Sequence, residues 1–168
     1  MLAKSLKITL WAIAITLMVG ISCFLAAACG NSWWKSSLND TEIGLLNFNI
    51  KGRKEQRKNL FQFKSFDLDN ILILITFAII FSTLSLVCLL VLCFFKEKNS
   101  TWTKGSFVLI CLVFMAGACG IGAMLYAEIF VPHLWRNNKH GWSVISAWFG
   151  AIACITALII SCNAAASN

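Results

Sequence analysis

The residues of this chain with the widest choice of chemistry are its eight cysteines, because thiols can bind zinc, form disulfides or carry redox reactions. They lie in apolar stretches rather than in the charged segments, and neither a CxxC motif nor a Cys/His spacing typical of zinc sites occurs. We therefore interpret them as small packing residues in helices. Cys93 and Cys162 are expected near cytoplasmic helix ends and are candidates for reversible palmitoylation.

The two histidines and a nearby glutamate are the remaining candidates for acid–base or metal chemistry. His133 and His140 fall in one short predicted loop without a carboxylate in the same loop, so we interpret them as surface histidines. Glu128 is expected at a helix end, where it would cap the helix or pair with Arg136 or Lys139. We therefore predict that the protein is not an enzyme and holds neither a metal nor a cofactor.

Four long uncharged stretches must position all of these residues. They run over 8–34, 70–95, 105–127 and 140–168, and each exceeds the roughly 20 residues that a helix needs to cross the hydrocarbon core. In lipid a helix satisfies its own backbone hydrogen bonds, so apolar runs of this length are helices. No stretch holds an Asp, Glu, Lys or Arg well inside, where such residues would indicate a transport path.

We predict an all-α membrane protein with one domain over residues 1–168. The predicted spans are about 8–29, 70–95, 106–128 and 141–163, joined by loops at 30–69, 96–105 and 129–140. The amino-terminal run imitates a signal peptide, but it is longer than the roughly 7–15 apolar residues of a signal h-region.

The orientation in the membrane depends on how the basic residues are weighed. The long loop 30–69 holds more Lys and Arg than the short loop and amino terminus together, so a plain positive-inside count favours a cytoplasmic long loop. Its basic cluster, however, lies far from either span, where the rule has little weight. We expect cytoplasmic termini in the plasma membrane and a long loop outside, with Asn39 in the triplet Asn39-Asp40-Thr41 as the candidate glycosylation site.

The long loop carries a strand pattern. In residues 43–50 the side chains alternate, with Leu46, Phe48 and Ile50 on one face and the intervening residues on the other. Residues 59–66 alternate less cleanly and are the second predicted strand. Gly52 between the two indicates a turn. Because two strands alone are marginal, they need further strands or the helix ends to pack on.

Two features of the long loop each allow two interpretations. Trp33 and Trp34 either lie at the headgroup level as aromatic belt residues or form an apolar face of the sheet, with the loop 132–140 alongside. The run KGRKEQRK either forms a solvated hairpin tip or recognises an acidic partner, lipid headgroups or anions. Its candidate partner-binding residues are Lys51, Arg53, Lys54, Arg57 and Lys58.

Small residues recur at helical spacing in the third and fourth spans. The i, i+4 pairs include Ala116/Gly120 and Ala118/Gly122. Such stripes let helix backbones approach closely in lipid. They serve either packing inside the bundle or docking against another membrane protein or a second copy, and Gly120 and Gly122 are our candidates for docking.

Several segments together resemble the superfamily of peripheral myelin protein, the epithelial membrane proteins, lens intrinsic membrane protein and the claudins. The resemblance covers essentially the whole chain. It rests on the order and spacing of NSWW at 31–34, GLL at 44–46, ILITFAIIFSTLSL at 73–86, AGACGIGAMLY at 116–126 and GWSVISAW at 141–148.

The resemblance implies a left-handed four-helix bundle with a small extracellular antiparallel sheet, and a non-enzymatic protein that works through contacts. The chain departs from the family in two places. The first loop lacks the two cysteines that usually form a disulfide, and Leu46 stands where the family motif has tryptophan. Leu46 is therefore a further candidate for partner binding, together with Trp33 and Trp34.

Three functions are then open. The first is an accessory or membrane-organising subunit that binds laterally to a larger channel, receptor or adhesion protein. The second is a cell–cell contact protein that assembles through its sheet, with a basic paracellular path. The third, a four-span glutathione transferase, would need charged and polar residues that the second span lacks. The expected partners are the lipid bilayer and another integral membrane protein or copies of the chain itself, and no nucleic acid.

Overall fold

Four long helices form most of the protein, as the apolar stretches predict. The structure is a computed structural model that describes residues 4–30, 32–36, 41–50, 53–56, 66–94, 99–130 and 138–166. The helices are α1 (Lys4–Cys29), α2 (Phe66–Phe94), α3 (Asn99–Phe130) and α4 (Trp142–Ala166). By length and composition each can cross a membrane, over Ile8–Cys29, Leu68–Cys93, Gly105–Ile129 and Trp142–Ala166.

The outer surface of the helices is apolar, which is the reverse of a water-soluble bundle. Large side chains that are exposed include Trp11 at 68%, Phe107 and Phe149. Such residues fit lipid, because hydrocarbon tails solvate them while water does not. The four helices therefore support a multi-pass membrane protein.

Each helix packs on two neighbours around the bundle. The most extensive contacts are between α2 and α3 and between α1 and α4, followed by α3 with α4, and α1 with α2 is the least extensive. Two buried clusters fill the interior. One lies toward the sheet and includes Phe24, Ile75 and Met124, and the other lies toward the opposite end and includes Leu17 and Val113.

Two glycines make room for one aromatic ring at the centre of the first cluster. Phe24 of α1 is fully buried between Gly120 of α3 and Gly150 of α4. A Cβ added to Gly120 would lie 2.6 Å from Cζ of Phe24, and one added to Gly150 would lie 2.8 Å from its Cδ1. Both distances are shorter than carbon atoms tolerate, so the glycines are required by packing inside the bundle.

A five-stranded antiparallel sheet lies at the end of the bundle where α1 ends and α4 begins. Its strands are β1 (Trp34–Ser36), β2 (Thr41–Ile43), β3 (Asn47–Ile50), β4 (Arg53–Gln56) and β5 (Asn138–His140), in the order β4-β3-β2-β1-β5. Strands β1 to β4 are consecutive in the chain and form a meander. Strand β5, from the segment just before α4, pairs with β1 and forms the edge opposite β4. A small sheet was predicted, and the loop 132–140 does contribute a strand beside the tryptophan pair.

The strand boundaries differ from those predicted. The alternation over 43–50 does not run through, because β2 ends at Ile43 and β3 begins at Asn47. Residues between them form a bend, in which Leu45 is fully buried and Leu46 is 43% exposed. Leu46 therefore lies in the bend before β3, so the predicted continuous alternation of Leu46 with Phe48 and Ile50 in one strand is interrupted there. The predicted strand at 59–66 lies mostly outside the described residues, and β4 occupies 53–56 instead.

Candidate functional site

Trp33 is an internal anchor of the sheet. Its side chain is fully buried, and its indole Nε1 donates a hydrogen bond of 2.7 Å to the carbonyl oxygen of Ala27. Ala27 lies in the last turn of α1, where the carbonyls have no partner within the helix. Trp33 thus satisfies a carbonyl at the end of α1. Of the two interpretations that the sequence allowed for this residue, its burial favours the apolar face of the sheet over the headgroup level.

Trp34 packs beside Trp33 at the start of β1. It is 5% exposed, and the two ring centroids are 5.6 Å apart. In the sheet Trp34 lies opposite Ile43 of β2 and His140 of β5. Both tryptophans therefore belong to the apolar layer between the sheet and the helices.

The start of α4 is hydrogen-bonded to Ser32 and Trp33, the residues just after α1. The amide of Gly141 donates to the carbonyl of Trp33 at 2.9 Å, and the amide of Ser143 donates to the carbonyl of Ser32 at 3.1 Å. A side chain on residue 141 would overlap the Ser32 carbonyl oxygen, so glycine is required there for this close approach. All eight cysteines are free, and these contacts fasten the sheet to α1 and α4.

The charged residues of the sheet fall into register across its strands. Lys35 of β1 lies opposite Glu42 of β2, and Lys35 Nζ is 3.5 Å from Glu42 Oε1. On its other side Lys35 lies opposite Lys139 of β5. At the edge formed by β4, Lys54 lies opposite Asn49 of β3.

Part of the predicted basic patch is placed on an edge strand. Arg53 and Lys54 belong to β4, which is an edge strand of the sheet because it pairs with β3 alone. Lys51, Arg57 and Lys58 lie outside the described residues, as does Asn39. Charged residues on an edge strand discourage pairing with another sheet, so β4 is better suited to electrostatic contacts than to strand addition.

Gly120 and Gly122 lie on different sides of α3. Gly120 faces Phe24 inside the bundle, as described above, and so it is unavailable to a partner. Gly122 is half-buried, and a Cβ added there would meet nothing within 4 Å. The structure therefore separates two glycines that were both predicted as candidates for docking.

An apolar groove of about 370 Å³ runs between α3 and α4 on the outside of the bundle. Gly117, Ala118 and Gly122 are among the α3 residues that line it, and Cys154 and Ile155 are among those of α4. A Cβ added to Gly117 would meet only the Cβ of Cys154 among the described residues, at an ordinary contact distance of 3.6 Å. The small residues let a second backbone approach α3 closely along this groove.

The two palmitoylation candidates lie at one end of the bundle. Cys93 is next to the end of α2, and Cys162 is in the final part of α4. Both helices end on the side opposite the sheet, and both thiols are exposed. Their placement thus keeps them as candidates for acylation on the same membrane face.

Polar contacts link the helices at the sheet end. Asn70 Nδ2 donates to the hydroxyl of Tyr126 at 3.0 Å, joining the start of α2 to the last part of α3. Glu128 Oε2 lies 3.5 Å from His140 Nε2. The expected partner of Glu128 was Arg136 or Lys139. Arg136 lies outside the described residues, and among the described residues the ion-pair partner is His140, because β5 brings that residue beside the end of α3.

Sequence reasoning could not find this pair, since it places a helix end beside a strand from a different part of the fold. Among the described residues no group of three His, Cys, Asp or Glu side chains is arranged to hold a metal ion.

Comparison with known protein families finds no matching family, and comparison with curated proteins finds no significant match either.

Proposed function

We propose that this chain is a non-enzymatic, claudin-like membrane-organising subunit that binds laterally to a larger integral membrane protein. One observation carries the proposal. Gly122 lines the outer groove between α3 and α4, yet no atom of the described residues lies within 4 Å of a Cβ added at that position. A glycine in a helix costs roughly 0.5–1 kcal/mol relative to alanine, so its presence is best explained by a close external contact.

The occupant we propose is a transmembrane helix of the larger protein. The groove is apolar along its length and lies within the predicted spans of α3 and α4. In lipid, helices associate through close van der Waals packing at small residues rather than through the hydrophobic effect. Gly117, Ala118 and Gly122 offer such a surface to a partner helix.

The proposal includes the orientation of the protein in the membrane and the membrane in which it resides. Cytoplasmic termini would place the sheet outside the cell and the thiols of Cys93 and Cys162 on the cytoplasmic face, where acylation takes place. The plasma membrane is the compartment that suits a sheet exposed to the exterior.

Photocrosslinking in native membranes tests the proposal. A photoreactive phenylalanine analogue at Phe114, which is exposed and lines the groove, should crosslink to one defined membrane protein. The same analogue at Phe77, exposed on α2, is the matched control and should not. Crosslinks from Phe114 to lipid alone would contradict the proposal.

A substitution that fills the groove gives the second arm of the test. Gly122→Leu should lower the Phe114 crosslink by about tenfold, equivalent to about 1.4 kcal/mol, because the added side chain blocks the close approach. Thr76→Leu, on the exposed surface of α2, should leave it unchanged. Delivery of both variants to the cell surface should be normal, since Gly122 makes no internal contact within 4 Å of its Cβ position.

Cell–cell contact through the sheet is the second candidate function. It is favoured by the way the sheet is fastened to α1 and α4, because a preformed sheet loses little entropy on binding. The basic edge strand β4 would then meet an acidic surface or bias a paracellular path toward anions. Reversal of Lys54 and Arg57 to Glu should change adhesion or ion preference, and an unchanged result in both would exclude this role for the basic run.

A further inference from the structure

We infer that the outer face of the sheet binds a sulfated polysaccharide through Lys35 and Lys139, two lysines on neighbouring strands. This surface is separate from the groove between α3 and α4, so the inference goes beyond lateral binding to a larger membrane protein. It rests on the proposed function in one respect only, the orientation that places the sheet outside the cell, where such polysaccharides occur.

The direction of the side chains in β1 separates the two faces of the sheet. Trp34 is buried and belongs to the apolar cluster against the helices. Successive side chains of a strand point to opposite faces, so Lys35 lies on the face turned away from the bundle. Its side chain is 54% exposed, in agreement with this placement. The outer face of β1 is therefore open to a ligand at Lys35.

The strand register extends this position into a row across the sheet. Glu42 of β2 and Lys139 of β5 lie directly opposite Lys35 on its two sides. Asn49 of β3 lies opposite Glu42, and Lys54 of β4 lies opposite Asn49. Residues directly opposite each other share a face. The row therefore crosses all five strands and holds three lysines but one glutamate.

The charges in this row do not cancel. Lys35 Nζ is 3.5 Å from Glu42 Oε1, which compensates one lysine. Lys139, on the other side of Lys35, is exposed. Like charges directly opposite each other destabilise a sheet, because their Cβ atoms are only about 4.5–5.5 Å apart. An anionic group bound between Lys35 and Lys139 would relieve this repulsion, so the pair is suited to a negatively charged ligand.

The spacing of the lysines favours a long anion over a single headgroup. Neighbouring strands are about 4.8 Å apart, so Lys54 is roughly 14 Å from Lys35, three strand spacings away. One phosphate can contact Lys35 and Lys139, whereas a chain with sulfates on successive sugars can also extend to Lys54. An ammonium group acts as a point charge and lacks the planar fork with which arginine selects carboxylate or phosphate. The row therefore responds to charge density along a chain.

Binding of a heparin-derived oligosaccharide to the full chain in nanodiscs of neutral lipid tests the inference. Nanodiscs expose both ends of the bundle, so the result does not depend on the orientation in cells. Lys35→Gln combined with Lys139→Gln should weaken binding by about fivefold, within the range that two exposed ion pairs provide. The same oligosaccharide without its sulfates should bind the unmodified protein more weakly than the sulfated one.

A matched control separates this surface from net charge. Lys4→Gln combined with Lys7→Gln removes the same charge at the start of α1, at the end of the bundle away from the sheet, and should leave binding unchanged. Glu42→Gln should strengthen binding by about two- to three-fold, because it releases Lys35 from its ion pair and removes a negative charge from the row.

Three results would overturn the inference. The first is equal weakening in the two double variants, which would mean that binding follows net charge alone. The second is unchanged binding in the Lys35 and Lys139 double variant. The third is capture of the nanodiscs by phosphatidylserine vesicles through these two lysines without binding of the oligosaccharide, which would assign the row to lipid headgroups. If the double variant does not fold, Glu42→Gln decides alone, and weaker or unchanged binding in it contradicts the inference.

Discussion

The indole nitrogen of Trp33 is bonded to the carbonyl oxygen of Ala27, and this single contact ties β1 to the end of α1. Trp33→Phe removes the donor and leaves a buried carbonyl without a partner. We expect the free energy of unfolding in detergent to fall by about 1–3 kcal/mol, with some further loss from the smaller ring.

Trp11→Phe is the matched control for this change, since Trp11 is exposed on the outside of α1. Its effect should stay within about 0.5 kcal/mol. Equal effects of the two substitutions would mean that the Trp33 bond contributes nothing to stability.

Two glycines of α3, two residues apart, should respond in opposite ways to alanine. Gly120→Ala places a methyl group against the Phe24 ring and should cost about 1–3 kcal/mol through overpacking. Gly122→Ala adds a methyl group where nothing lies within 4 Å, so it should be neutral or stabilise the helix by up to about 1 kcal/mol. Unfolding measured on both variants checks the prediction, and a cost of similar size at both positions would contradict it.

Among the secondary-structure elements, the sheet contacts the bundle where the residues before β1 are hydrogen-bonded to the start of α4. Gly141→Ala would force the backbone away from the Ser32 carbonyl and break the bond from Gly141 to Trp33. We expect faster hydrogen exchange in β1 and β5, while the centres of the four helices keep their protection, because helix hydrogen bonds do not depend on this junction.

Ser143→Ala is the control for this junction. The backbone amide of Ser143 donates to the carbonyl of Ser32, whereas its buried hydroxyl oxygen has no hydrogen-bond partner among the described residues. Loss of the hydroxyl should therefore leave exchange in β1 and β5 unchanged. If the helices exchanged as fast as the strands in Gly141→Ala, the sheet and bundle would unfold as one unit instead.

For the molecule as a whole, the orientation in the membrane can be tested at two glycosylation-type triplets, Asn39-Asp40-Thr41 and Asn99-Ser100-Thr101. Asn99 is the first residue of α3, on the side away from the sheet, whereas Asn39 belongs to the segment between β1 and β2. Because both cannot face the same compartment, we expect only one to carry a glycan, and we predict that it is Asn39. A glycosidase-sensitive mass shift that is lost in Asn39→Gln and kept in Asn99→Gln would support termini in the cytoplasm, and the reverse would place the sheet there.

The pattern of charge along the chain was sufficient to predict four spanning helices. A span is a property of local composition, because a helix in lipid satisfies its own hydrogen bonds and needs only enough apolar length. The alternation of Phe48 and Ile50 with asparagines is also a local pattern, and it was enough to predict that this loop contains a strand, although not which strands it pairs with.

The partners of individual residues were decided only by the tertiary structure. The sequence left open whether Trp33 faces the headgroups or the core, whether Gly120 and Gly122 share a surface, and which residue pairs with Glu128. Each answer depends on which elements become neighbours: α4 beside β1, Phe24 between two glycines, and β5 beside the end of α3. Local composition determines where the helices lie along the chain, whereas contacts between residues distant in the chain exist only after the helices have packed.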